Sequence, residues 1–158
     1  MKIKFKSGYK YQLAPCGPEH GEWWNKFTRR YEICLLNTPN DILEIINCGE
    51  FLSVYPASST NDHMPWLSIS PGYAWDGASG PTFDTGNSMA ASLVHDAGYQ
   101  LIRNRVLPAD PWKKYFDDLF YSLCVDAGMW AWRAKLWYVA VSKFGDCSLS
   151  EPRKIHEG

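Results

Sequence analysis

Three short stretches hold residue types able to do chemistry together: Trp75-Asp76-Gly77-Ala78-Ser79-Gly80-Pro81, His95-Asp96-Ala97-Gly98-Tyr99 and Asp117-Asp118-Leu119-Phe120. Imidazole is the side chain whose ordinary titration range brackets neutral pH, so His95 is a candidate general base. His95 and Asp96 are neighbours, and on a helix adjacent side chains diverge by roughly 100°. They cannot face each other, but they can enter one cleft from the same turn. A histidine turned toward a second helix needs a polar partner there, because a buried N–H left unpaired costs about 1–3 kcal/mol. Asp117 can be that partner, fixing the tautomer and leaving the other ring nitrogen as the base. Asp118 can take the same place in a different helical phase.

Asp76 and Asp96 are then left for another task. Two carboxylates held close repel unless a cation or a proton intervenes. A glycine-rich bend brings backbone carbonyls near them, and carboxylates with carbonyls form the ligand set of an oxygen-seeking ion such as calcium, not zinc. A divalent ion beside a histidine base is the arrangement of metal-assisted ester or amide hydrolysis. The plain alternative is a buried polar network that pins two helices together and turns nothing over. Ser79 lacks the G-x-S-x-G elbow of a nucleophile and reads as a turn hydroxyl. His20, His63 and His156 lie in polar, loop-like surroundings and read as solvated, as does the Arg29-Arg30 pair. A phosphohydrolase with an extra histidine would need one on an earlier helix, and His63 sits in a loop.

Positioning these groups falls to two halves of different period. Residues 2–6 and 9–13 flank Ser7-Gly8 as a hairpin. Strands are expected at 30–36, 43–48, 51–55 and 66–70, the last running up to Pro71-Gly72. The 56–65 stretch is a polar, proline-bounded loop. From Asn87 to Arg105 the apolar residues recur at helical spacing, with Asp84, Thr85 or Asn87 as caps. Asp110-Pro111 starts a second helix, about 111–127, burying Trp112, Tyr115 or Phe116, Leu119 and Leu123, and Gly128 ends it. Residues 129–145 form a third helix, apolar all round, that Gly145 closes. Its Trp130, Trp132, Trp137 and Tyr138 suit a core, or a lipid or partner surface. The expected fold is α+β: an antiparallel β part (1–75) against two antiparallel helices and a third C-terminal one (86–145), with a polar tail at 146–158, in a single domain.

Composition agrees. The 158 residues are 46% hydrophobic and 21% charged, a folded chain long enough to bury a core. A net charge of −1 speaks against general nucleic-acid binding. The N-terminus has no apolar h-region, and no window approaches the roughly 18 apolar residues of a membrane span. Five scattered cysteines, Cys16, Cys34, Cys48, Cys124 and Cys147, with no C-x-x-C, imply buried free thiols. The expected location is a bacterial host cytoplasm or a virion assembled there.

Taken together, the three motifs resemble the phage and prophage family known as domain of unknown function 1353, with its Asp-Gly-Ala-Ser-x-Pro turn, His-Asp-x-x-Tyr helix and Asp-x-x-Phe helix; the likeness covers residues 71 to 145. More distantly the order is similar to that of prokaryotic secreted phospholipases A2. That second resemblance implies His95 as general base, Asp117 as its orienting acid, Asp76 and Asp96 as calcium ligands, and Tyr99 packing or hydrogen-bonding nearby. The chain departs at Ala78, where those enzymes have cysteine, and in lacking their cysteines around the histidine helix.

The leading expectation is a phage-encoded accessory protein with a calcium-dependent, phospholipase-A2-like hydrolase site. The competing expectation is a catalytically silent structural, virion or tail-associated protein in which the aromatic third helix docks on phage proteins or a lipid surface. A third is a metallo-hydrolase of cell-envelope peptidoglycan.

Overall fold

In the computed structural model, residues 5–6, 11–13, 30–59, 64–77 and 88–149 are described, except for the side chains at 5, 6, 144 and 146–149. The strands are β1 (Phe5–Lys6), β2 (Tyr11–Leu13), β3 (Tyr31–Cys34), β4 (Ile46–Cys48), β5 (Leu52–Tyr55), β6 (Trp66–Ile69) and β7 (Ala74–Trp75). The helices are α1 (Met89–Arg103), α2 (Ala109–Asp126) and α3 (Ala131–Leu149), and a short 3-10 turn occupies Ala57–Ser59.

Period-two alternation builds the larger sheet, in the order β3-β6-β5-β4, all antiparallel. Its register sets Tyr31, Ile69 and Leu52 in one row and Ile33, Leu67 and Val54 in the next. All six side chains are buried and form the sheet's share of the core. On the opposite face Glu32, Ser68 and Ser53 share a row, and Ser53 donates to Asn47 Oδ1 at 2.9 Å. The smaller sheet runs β1-β2-β7.

Both glycine-bearing turns near this junction need their glycine. Gly72 (φ +97°) swings the chain from the larger sheet into β7, where a side chain would strike the Phe51 ring. Gly77 (φ +79°) turns it again directly after Asp76.

The β region packs against a bundle of three helices, the α+β arrangement that the change of period implies. Helix α1 is central: twelve of its fifteen residues are buried, so it meets the sheets on one side and the other helices on the other. It can be central because small residues line it. At Gly98 a Cβ would fall on the Phe116 ring of α2. The largest fully buried side chains include Trp75, Trp112, Tyr31 and Phe116, each contributing about 1.5–3 kcal/mol on burial. A second apolar cluster joins Ala91 of α1, Phe120 and Cys124 of α2, and Met129, Ala134, Trp137 and Val141 at and in α3.

Several local expectations are corrected. Phe5 pairs with Leu13 and Lys6 with Gln12; the Ser7-Gly8 turn expected between these strands lies outside the described residues. Strand β7 is an additional element, pairing with β2. Helix α2 buries Trp112, Phe116, Phe120 and Cys124, while Leu119 and Leu123 are only partly covered, a phase set by α1 on one side and α3 on the other. Asp110 has extended backbone angles (φ −99°, ψ 125°), so the regular turns of α2 do begin at Pro111. Helix α3 does not end at Gly145 but continues to Leu149. The position before α1 is Ser88, without a side-chain capping bond; Asp84, Thr85 and Asn87 lie outside the described residues.

Candidate functional site

Strand β7 and helix α1 are clamped one helical turn from His95. The Trp75 indole N–H donates to Ser92 Oγ at 3.1 Å, and that hydroxyl donates to the Met89 carbonyl at 2.9 Å. One residue along the strand and one turn along the helix, the Asp76 backbone N–H donates to Asp96 Oδ2 at 3.3 Å. The i, i+4 spacing of Ser92 and Asp96 thus reads the side chain of Trp75 and the backbone of Asp76 in step. The loop acid is brought to the helical acid by a backbone bond.

Asp117 is the hub of the network. Its Oδ1 accepts from His95 Nε2 and from the Tyr99 hydroxyl, both at 2.8 Å. Its Oδ2 accepts from Ser142 Oγ at 3.0 Å and from Lys113 Nζ at 3.3 Å. Lys113 also donates to the Ser142 carbonyl at 3.1 Å. His95 and Tyr99 are i, i+4 on α1, Lys113 and Asp117 are i, i+4 on α2, and Ser142 comes from α3, so one carboxylate ties three helices. Apolar rings close around it: His95 lies 4.2 Å from the Tyr99 ring and meets Phe120 edge-on at 5.4 Å. Asp117 is 2% exposed and His95 6%.

Electrostatics follow from that geometry. Burial alone would lower the His95 pKa, but the hydrogen bond to Asp117 and the nearby Asp96 carboxylate outweigh it, leaving the pKa above the ordinary 6.5. Burial alone would raise the Asp117 pKa; His95 first, then Tyr99 and Lys113, hold it below the ordinary 3.8. The pair therefore favours the imidazolium–carboxylate form.

The second ring nitrogen, Nδ1, faces Asp96 Oδ1 at 3.8 Å, an ion-pair distance and not a hydrogen bond. This is the side on which Asp76 lies. Among the described residues, no three or more His, Cys, Asp or Glu side chains surround a common point as a metal site requires. Asp76 and Asp96 offer two carboxylates where calcium takes about six to eight oxygens. The carbonyls at 78–80, and Ser79 with them, lie outside the described residues, as do His20, His63 and His156.

The helical phase selects Asp117 over Asp118, which sits on the outer side of α2 in an ion pair with Lys114. Arg30 reaches the Tyr55 hydroxyl at 3.4 Å; Arg29 is outside the described residues. Cys34, Cys48 and Cys124 are free thiols, the last two buried. Sequence reasoning missed Lys113 and Ser142. Lys113 stands one turn before Asp117, and Ser142 is a serine set directly after the apolar run Val139-Ala140-Val141 of α3, which is the signal that was there to use. It also missed the Trp75–Ser92 clamp.

No family model matches this chain, and comparison with curated proteins and with solved structures gives no match.

Proposed function

We propose that the chain is a phage-encoded accessory or virion-associated protein in which the His95–Asp117 network is a structural core and not a turnover centre. One observation carries this reading: both oxygens of Asp117 are filled from within the protein, by four donors from three helices. A base must reach water or substrate to release and regain its proton, and the His95 ring is almost wholly enclosed. A rigid junction is well served by such a network, because removing one member of a buried, hydrogen-bonded ion pair leaves the rest uncompensated. The phage setting rests on the resemblance of the three motifs. Asp117→Asn should lower stability by about 3–5 kcal/mol in urea denaturation, and mass spectrometry of purified particles should find the protein there. If Asp117→Asn unfolds like the wild type, the structural reading is wrong.

A hydrolase reading keeps one specific support: Nδ1 of His95 faces the side where Asp76 and Asp96 meet. In that reading Nδ1 takes a proton from water, Asp117 holds the imidazole, and Asp76 and Asp96 would hold calcium. The ion, when bound, would supply charge to polarise an ester carbonyl. Calorimetric titration with calcium on wild type and Asp96→Asn separates the two readings. Heat of binding lost in Asp96→Asn, with His95-dependent cleavage of a fluorogenic phospholipid or peptidoglycan substrate, favours the enzyme. No heat at millimolar calcium and no turnover favour the structural core.

A further inference from the structure

We propose that the outward face of α3, with Trp130 just before it, docks on an anionic lipid bilayer. This inference stands apart from the His95 network and holds whether or not that network is catalytic.

Helix α3 is apolar on two opposite sides. Its inner stripe is Ala134, Trp137, Val141 and Gly145, all buried against the rest of the protein. Diametrically opposite, at i, i+4 and i+7, run Trp132, Leu136 and Val139, and Lys143 continues the same line one turn further on. Trp132 is 61% exposed, Leu136 60% and Val139 40%, and Trp130 at 72% lies with its ring centre 6.3 Å from that of Trp132. Isolated exposed apolar residues need no explanation; an ordered stripe of them on a helix whose other side is already packed does.

Charge selects the occupant. Helix α3 carries Arg133, Lys135 and Lys143 against a single acidic residue, Asp146 near its C-terminal end, although the whole chain is net −1. Arg133 and Lys135 emerge on either side of the apolar stripe, about 80° from its centre. Their charged ends are held over aromatic rings, the Arg133 guanidinium 5.6 Å from the Trp137 ring centre and Lys135 Nζ 4.2 Å from that of Tyr138. An apolar stripe with cationic flanks is the pattern of a helix lying in the plane of a membrane surface: aromatic rings sit at headgroup level while the charges meet lipid phosphates. A second copy fits worse. A two-fold contact would bring Arg133, Lys135 and Lys143 against their own copies, and lysine is depleted at protein interface cores. Among the described residues no helix is long and apolar enough to cross a membrane, so the contact would be peripheral.

The full-length protein is incubated with sucrose-loaded vesicles of phosphatidylglycerol and phosphatidylcholine, or of phosphatidylcholine alone, and sedimented. The expected result is binding to the anionic vesicles, weakening as salt shortens the Debye length, with tryptophan fluorescence quenched by brominated acyl chains. Trp130→Ser/Trp132→Ser/Leu136→Ser should keep the wild-type circular dichroism, lose that quenching and lower the partition coefficient by about tenfold or more. Lys135→Gln/Lys143→Gln should remove the preference for anionic vesicles. Absence of wild-type binding to phosphatidylglycerol, or unchanged binding by the triple variant, overturns the proposal. So does a dimer in analytical ultracentrifugation that the triple variant abolishes, because that assigns the face to a second copy.

Discussion

Asp117 accepts from a histidine, a tyrosine, a serine and a lysine, and this fixes how stability must depend on pH. The His95 pKa is raised in the folded state, so its contribution is fully present below the unfolded value of about 6.5 and is lost as pH rises through the folded value. The Asp117 pKa is depressed, so its contribution is present above about 3.9 and is lost as pH falls through the folded value. The network therefore stabilises most between about pH 4 and 6.5. The free-energy difference between wild type and His95→Gln, from urea unfolding at successive pH values, should be largest in that window and shrink toward pH 9. A difference that grows as pH rises toward about 6.5 and stays level above it would mean that the histidine is held neutral. At this scale the sequence was partly legible. His95 needed a partner on the next helix, and Asp117 stood in the right phase three residues before Phe120. Lys113 and Ser142 were not, because a lysine or a helical hydroxyl has many uses that pattern alone does not separate.

Among the elements, α3 owes its register to a contact that no propensity argument contains. Gly145 lies inside the helix, where alanine would ordinarily be better by about 1 kcal/mol. Here a Cβ would land on the Tyr99 hydroxyl, the group that donates to Asp117. Gly145→Ala should therefore destabilise by about 1–3 kcal/mol in spite of its helical preference. Because the collision falls on the edge of the Tyr99 ring as well as its hydroxyl, Gly145→Ala and Tyr99→Ala should be sub-additive by about 0.5 kcal/mol or more in a double-mutant cycle. Strict additivity would place the cost elsewhere. The same residue explains a misreading: a glycine near the end of an apolar helical run signals a stop, whereas this one serves a neighbouring ring and the helix runs on to Leu149. Longer strands were legible from their alternation, as in Tyr31–Cys34 and Leu52–Tyr55. β7, with two residues, is too short to show a period. The β3–β6 pairing joins segments separated by β4 and β5, and nothing local announces it.

At the scale of the whole molecule, two apolar clusters must hold together if the chain is to unfold as one unit. The first spans the sheets, α1 and part of α2, and contains Cys48; the second joins α1 and α2 to α3 and contains Cys124. Leu123 packs against both, and the Asp117 network crosses from α1 through α2 to α3. Both thiols are shut away from water. Cys48 accepts a hydrogen bond from Asn104 Nδ2 at 3.0 Å, and burial pushes the Cys124 thiol pKa up to about 12; both side chains are buried, so a reagent reaches either sulfur only through an opening. If the clusters open together, Cys48 and Cys124 should be labelled by iodoacetamide at rates equal within about threefold, both rising with urea along one slope. Peptide-level mass spectrometry reads the two sites in the same sample, without substitutions. Faster labelling of Cys124 with a shallower urea slope would show α3 parting from α2 while the sheets stay folded. In that case the network through Ser142 would be a latch on a separable helix and not part of a single cooperative core.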